Sequence, residues 1–336
     1  MGKKDDTTHG TQSYDESKLK VSGLRRFETL DIEEQAAQLS GWNQHYAQVS
    51  KGAFSGGFVE LDLGEAKLFI ETTSNSLLQK GVVDSGMVAL GLPISSNSNG
   101  YFCGHALTEQ ALHIFSGSSG FEYLSPPELR MAGLIIPSHV FNEKIAFHTS
   151  EKLFDSANTP GLITVVNEKN RELRQLLKDV SSMAQLCPHV FLNRDIMNPL
   201  GDAIISAFVE SFVSNVELES VKLSVSQRIK IINSVRDVVV ENPSNPPGIS
   251  DICNFLKISR RTLQYCFQES LGCSPVDFIK AIRLNGVRAI LKSCNSVSEA
   301  ATYWGFWHFG NFSSDYKAFF NRLPSEDFSL YRGVKK

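Results

Sequence analysis

The sequence predicts an α+β chain: a small β-barrel or sandwich, then two amphipathic helices, then an all-helical domain. Three observations carry that expectation. Short apolar runs separated by Gly, Ser and Asn clusters fill residues 58–137, the pattern of closely spaced strands. From residue 168 the apolar residues recur at helical spacing. The charge is also divided: residues 227–336 carry 15 Lys+Arg against 9 Asp+Glu, a net of +6, whereas residues 1–226 carry a net of −9. A basic C-terminal third behind an acidic body is expected where one domain meets a polyanion.

The chain has 336 residues, 42% hydrophobic and 21% charged. That balance supports a buried core in each of two domains and excludes a disordered, collagen-like or coiled-coil rod as a description of the whole. Residues 1–20 are polar, without apolar periodicity, and read as a disordered tail with no signal peptide. No stretch approaches about 18 consecutive apolar residues, so no membrane span is expected. Six cysteines (Cys103, Cys187, Cys253, Cys266, Cys273 and Cys294) form no Cys-x-x-Cys and no paired spacing with histidine. Free thiols in this arrangement fit a reducing, cytoplasmic setting and speak against zinc or redox motifs.

In the N-terminal part, Phe58–Leu61, Lys67–Ile70, Met87–Leu92, Ala111–Phe115 and Leu134–Ile136 are the expected strands. Glu168–Leu186 then aligns Leu173, Leu176, Leu177, Val180 and Met183 on one face, and Asp195–Val213 aligns Ile196, Leu200, Ile204, Phe208 and Phe212. Two such helices either cap the β core or pair with a second copy of the chain; pairing into a homodimer is the expectation carried forward. His105 and His113 lie eight apart with no carboxylate at ligand spacing, so neither a metal nor another cofactor is predicted. Gly117-Ser-Ser-Gly120 is neither a phosphate loop nor a nucleophile elbow and reads as a turn. No nucleophile, base and orienting acid assemble from these residues, so no enzyme is predicted.

The informative part begins after a helix over Ser226–Val240, which Glu241-Asn-Pro-Ser-Asn-Pro-Pro-Gly248 ends. Ile249–Lys257, capped by Ser250, and Arg260–Leu271, capped by Ser259 and closed by Gly272, make two short helices joined by a tight turn. Leu263, Phe267 and Leu271 face inward; Arg260, Arg261, Gln264 and Tyr265 face outward near the second helix's N-terminus. In a helix-turn-helix that end enters the major groove, where Arg pairs with guanine and Gln with adenine. A long helix over 275–293 follows, with Lys280, Arg283 and Arg288 adding positive charge. A second unit over 297–320 has a capped helix at Val297–Trp304, a turn at Gly305-Phe306 and a helix from Phe309 or Gly310 to Phe320. Trp304, Phe306, Trp307, Phe312 and Tyr316 are expected in its core. His308, Asn311 and Ser314 are its candidate DNA contacts, with His308 and Asn311 either reading bases or contacting phosphates. The connecting helix is long enough to hold two reading helices about one turn of DNA, roughly 34 Å, apart.

The stretch Ser259-Arg-Arg-Thr-Leu-Gln-Tyr-Cys-Phe-Gln-Glu-Ser-Leu-Gly-Cys-Ser-Pro275 resembles the first motif of AraC/XylS-type transcription regulators. Ile282-Arg-Leu-Asn-Gly-Val-Arg-Ala-Ile-Leu291 is similar to their linker helix. Gly305-Phe-Trp-His-Phe-Gly-Asn-Phe-Ser-Ser-Asp-Tyr-Lys-Ala-Phe-Phe-Asn-Arg-Leu-Pro324 is similar to their second motif in its Gly-Phe-x-His variant. Two departures stand out: Asn321 replaces the usual Gly, and Asp327-Phe328 replaces the closing Tyr-Arg, so the phosphate contact of that pair is not expected here. Gly41-Trp42, Gly57-Phe-Val-Glu60 and Phe121-Glu-Tyr-Leu-Ser-Pro126 loosely resemble the cupin-like sensor domains of ethanolamine-utilisation-type activators.

The resemblance implies a cupin-like sensor and dimerisation domain over 21–220 and a DNA-binding domain over 227–330. It also implies double-stranded promoter DNA, RNA polymerase and a small-molecule effector as partners, with activation as the expected sense. The competing readings are a cupin-type enzyme with a helical scaffold and an adaptor that binds protein rather than DNA.

Overall fold

The computed structural model describes residues 18–21, 23–95, 100–107, 111–146, 157–164, 168–216 and 227–333. Residues 1–17 of the expected tail and the junction at 217–226 lie outside them. Lys18–Val21 is not tail but a strand, β1, pairing antiparallel with β2 (Leu24–Thr29).

The N-terminal part is β-rich, as expected. Its further strands are β3 (Trp42–Gln48), β4 (Gly56–Asp62), β5 (Lys67–Thr73), β6 (Leu77–Val83), β7 (Met87–Ser95), β8 (Tyr101–Phe102), β9 (His105–Ala106), β10 (Ala111–Ile114), β11 (Phe121–Leu124), β12 (Leu129–Pro137) and β13 (Gly161–Thr164). They form an eight-stranded sheet in the order β1-β2-β4-β5-β12-β7-β10-β13 and a five-stranded sheet in the order β3-β6-β11-β8-β9. Between the sheets lies an aromatic core. Trp42 meets Phe69 edge-on at 5.8 Å and Phe121 at 5.4 Å, and Phe102 meets Phe115 at 4.9 Å. Edge-to-face pairs of this kind add to the stabilisation of plain area burial.

The other face of the larger sheet is covered by α2 (Ser138–Ile145), α3 (Glu168–Leu186) and α4 (Arg194–Val216); α1 (Ile32–Ala36) sits beside β3. Successive β5 residues therefore point into different cores. Phe69 joins the aromatic one, and Leu68 and Ile70 face the helices. A strand buried on both faces reads as a continuous apolar run.

The helices α3 and α4 occupy the expected spans, but their stripes are used within the chain. Leu173, Leu177, Val180, Ile204, Phe208 and Phe212 are buried against the larger sheet. Capping, not pairing, is what these faces do. Met183 and Ile196, expected on the stripes, are exposed; Ala184 and Met197 take their places. Over Arg194–Ser214, α4 is long and apolar enough by length and composition to cross a membrane, though half of that window is buried.

The C-terminal part is all helical: α5 (Gln227–Glu241), α6 (Ile249–Leu256), α7 (Arg260–Leu271), α8 (Pro275–Ile290), α9 (Val297–Tyr303), α10 (Phe309–Phe320) and α11 (Pro324–Gly333). It docks on the β-rich part at several points. Arg236 on α5 pairs with Glu122, and Ser270 on α7 bonds the Tyr101 hydroxyl at 3.2 Å. Asn285 on α8 exchanges two hydrogen bonds with the backbone of Gln48. Lys292 pairs with Glu33 at 2.7 Å and Tyr331 donates to Asp31 at 2.6 Å.

Candidate nucleic-acid interface

The first helix pair is built on local signals. Gly248, not Ser250, caps α6, and the Asp251 carboxylate accepts the Gly248 amide at 3.0 Å. Lys257 takes the left-handed conformation (φ 54°) and turns the chain. Ser259 caps α7, accepting the Thr262 amide at 3.0 Å. Leu263 and Phe267 are buried with Val235 and Val239 of α5 and with Phe278 and Ile282 of α8; Leu271 is only partly buried.

The second pair repeats the first. From cap to cap, Ser259 corresponds to His308 and the buried Leu263 and Phe267 to Phe312 and Tyr316. The left-handed Gly272 (φ 63°) corresponds to Asn321 (φ 58°). The left-handed position of Lys257 becomes Gly305, at φ 73°, where an added Cβ would lie 2.8 Å from the Ser244 carbonyl. The second turn is one residue longer. Trp307 is the extra residue, and it stands 65% exposed instead of in the core.

One helix serves both cores. Along α8, Phe278 and Ile282 face the first, while Ala281, Leu284 and Val287 face the second. Gly286 lets the Trp304 ring lie against the helix, since a Cβ there would come within 2.0 Å of it. Arg283 donates to the Trp304 carbonyl at 2.9 Å and lies over the Phe306 ring at 4.1 Å. The 16 residues of α8 span about 24 Å at about 1.5 Å each.

The positive charge expected along this helix is therefore not free. Lys280 pairs with Asp315 at 3.0 Å, and Arg283 is engaged as described. Arg288 is 5% exposed and lies near Asp31 at 3.9 Å and Asp327 at 3.6 Å. Asp327 is itself buried and accepts the Tyr316 hydroxyl at 2.7 Å. Asp327, one of the two departing residues at the end of the second motif, thus stands beside a buried guanidinium, where a carboxylate offsets part of the cost of burying the charge.

The candidate reading residues divide. Arg260, Arg261, Gln264 and Tyr265 are all exposed on α7. Arg260 reaches back to the Ser250 hydroxyl. The ring of Tyr265 is covered by the Arg228 guanidinium at 5.1 Å, and its hydroxyl accepts from Arg228 at 3.4 Å. Sequence reasoning missed Arg228, because nothing in the local pattern of α5 places it beside Tyr265. On the second unit His308, Asn311 and Ser314 are exposed, and the Ser314 hydroxyl donates to the Gly310 carbonyl at 3.1 Å. In the β-rich part, His113 is held in the core between Phe102 and Tyr123, where burial lowers its pKa to about 3. Among the described residues no group of three His, Cys, Asp or Glu is placed to hold a metal ion.

A family described as a helix-turn-helix domain matches residues 252–329. The chain is 34% identical over 101 residues to the "Probable thc operon regulatory protein" of Rhodococcus erythropolis, covering 29% of this chain and 30% of that protein. It is 30% identical over 98 residues to "XylDLEGF operon transcriptional activator 2" of Pseudomonas putida, covering 28% of this chain and 62% of that protein. The C-terminal third is an AraC/XylS-type helix-turn-helix domain. A solved structure, a probable AraC family transcriptional regulator from Rhodopseudomonas palustris, is 30% identical over 30% of this chain and 97% of its own, with a TM-score of 0.29. The chain thus matches about a third of the length of the Rhodococcus relative and about three-fifths of the Pseudomonas one. Within the AraC/XylS-type domain, both units keep a left-handed residue in the turn and at the C-terminal cap, while the outward faces of α7 and α10 differ in chemistry.

Proposed function

We propose that the chain is a sequence-specific, DNA-binding transcription regulator that acts as a ligand-responsive activator. The observation that carries this reading is the pair of matching helix-turn-helix units sharing α8 as one core helix, an arrangement suited to two successive major grooves. Ser259, Arg260, Arg261, Gln264 and Tyr265 serve the first groove; His308, Asn311 and Ser314 serve the second. Promoter DNA and RNA polymerase are the macromolecular partners, and the site of action is the cytoplasm.

In this reading, residues 21–220 sense and residues 227–330 bind DNA. A small-molecule effector acts by population shift, favouring one arrangement of the two parts over another. An open cleft of about 870 Å³ between them, lined by Phe27, Leu30, Gly57, Arg288, Leu330 and Tyr331, is the proposed effector site, because a ligand there touches both sides of the docking contact. A homodimer would use the outward side of the helical layer, where Leu186 and Ile196 are exposed, since the inward stripes of α3 and α4 are already covered.

Footprinting of promoter fragments recovered by genome-wide mapping tests the proposal. Protection of two grooves about one turn apart is expected. Salt-insensitive binding, or no protected fragment, rejects it.

A further inference from the structure

Five aromatic side chains, Phe255, Tyr265, Tyr303, Trp307 and Phe309, are exposed among the described residues, and all five belong to the two helix-turn-helix units. Two of them flank the cap of α10. Trp307 is 65% exposed and Phe309 44% exposed, on either side of His308, whose side chain makes no capping bond.

The internal repeat gives these positions meaning. Phe309 occupies the place on α10 that Arg260 holds on α7, and Gly310 the place of Arg261. Ser313 and Ser314 stand where Gln264 and Tyr265 do. The polar, cationic face of the first unit is thus replaced by an aromatic edge beside a glycine, and nothing lies within 4 Å of a Cβ added at Gly310. At this helix end the Ser314 hydroxyl is turned back onto the Gly310 carbonyl, which leaves His308 and Asn311 as the exposed hydrogen-bonding side chains. Beside them it offers apolar surface, and in the major groove the apolar feature of the bases is the thymine 5-methyl group.

We infer that the second unit reads thymine methyl groups through Phe309 and Trp307, while the first reads hydrogen-bonding edges through Arg261 and Gln264. The two half-sites would then differ in chemistry as well as position. This rests on the DNA-binding reading above. A small side chain at position 310 lets the helix end approach the groove closely, so that the Phe309 ring meets a methyl group without an intervening water.

The test is selection of duplexes from a random-sequence pool by the full-length protein at fixed salt. The wild type, Phe309→Ala, Phe309→Leu and Trp307→Ala are compared, and the winning duplex is then resynthesised with deoxyuridine for thymidine in one block at a time. Two blocks are expected, with thymine preferred in the one facing the second unit. Deoxyuridine there should weaken wild-type binding about fourfold per methyl group removed. Phe309→Ala should lose both the preference and the deoxyuridine effect, and Phe309→Leu should keep most of each.

Binding that ignores deoxyuridine in the second block overturns the inference even if every variant folds, because that measurement leaves the protein unchanged. So does enrichment of a single block. Unaltered DNA selection with loss of polymerase recruitment in Phe309→Ala would assign the aromatic edge to a protein partner instead. A pool with no enriched sequence would reject DNA reading as a whole.

Discussion

Asn285 on α8 donates to the Gln48 carbonyl at 2.8 Å and accepts the Gln48 amide at 2.9 Å. Gln48 ends β3, the edge strand of the five-stranded sheet, so one side chain completes an edge that another strand would otherwise cover. Asn285 thereby ties the helix shared by both helix-turn-helix units to the β-rich part. Replacing it with Ala leaves two buried backbone groups without partners. Asn285→Ala should lower the unfolding free energy by about 1–3 kcal/mol, measured by denaturant titration of the full chain.

Arg261 and Arg260 should separate in a binding assay. Arg261→Ala is expected to cost about 1–3 kcal/mol and relax preference at one base position. Arg260 is tethered to Ser250, so Arg260→Ala should cost less and leave preference intact. Competition between duplexes at fixed salt checks both; equal losses would contradict the difference in their settings.

Glu71 sets a pH dependence. It is buried in β5 and accepts from Gln35 and from the Tyr46 hydroxyl, each at 3.0 Å. Burial outweighs those bonds and lifts its pKa to about 7. Below the ordinary value near 4.5 both folded and unfolded states hold the proton and the cost is absent; it grows as pH rises and is complete above about 7. Glu71→Gln should therefore raise stability at pH 8 by about 1–3 kcal/mol and leave it unchanged at pH 4. His113, kept neutral by burial, acts in the opposite sense, its contribution being lost as pH falls below its ordinary value of 6.5. The difference between variant and wild type isolates Glu71.

Gly286→Ala drives a methyl group into the Trp304 ring and should cost about 1–3 kcal/mol by overpacking. Truncating the ring as well removes the collision, so Gly286→Ala with Trp304→Ala should cost less than the sum of the two single changes. Full additivity in thermal or chemical unfolding would show that the contact is not felt.

The helical third was the more legible part of the chain, because its signals are local. Ser259, Gly272 and Ser274 end or begin helices through bonds to residues a few positions away, and Asn321 adopts the left-handed conformation its short polar side chain tolerates. The sheets were harder. Leu68, Phe69 and Ile70 are all buried, facing two cores in alternation, so no period of two marks the strand. Charged residues misled for a related reason. Arg288 reads as a surface cation, yet it is buried between Asp327 and Asp31, and the second of these lies more than 250 positions earlier. Trp307 looked like core because its neighbours Trp304 and Phe306 do pack inward; one extra residue in a turn was enough to swing it outward.

For the proposed regulator, the docking of the two parts also bears on how it would search a genome. Arg236 and Lys292 pair with Glu122 and Glu33 of the acidic body, which leaves them less available to random phosphate. Fewer mobile cations mean fewer counterions displaced on arbitrary sequence, and so a shallower fall of affinity with rising salt than the fifteen Lys+Arg of residues 227–336 would give if all were free. Loose, indiscriminate adhesion along the chromosome is the part of binding that suffers most from their absence. On the proposed DNA-binding reading, the acidic body would sharpen the contrast between operator and background without touching a single base pair.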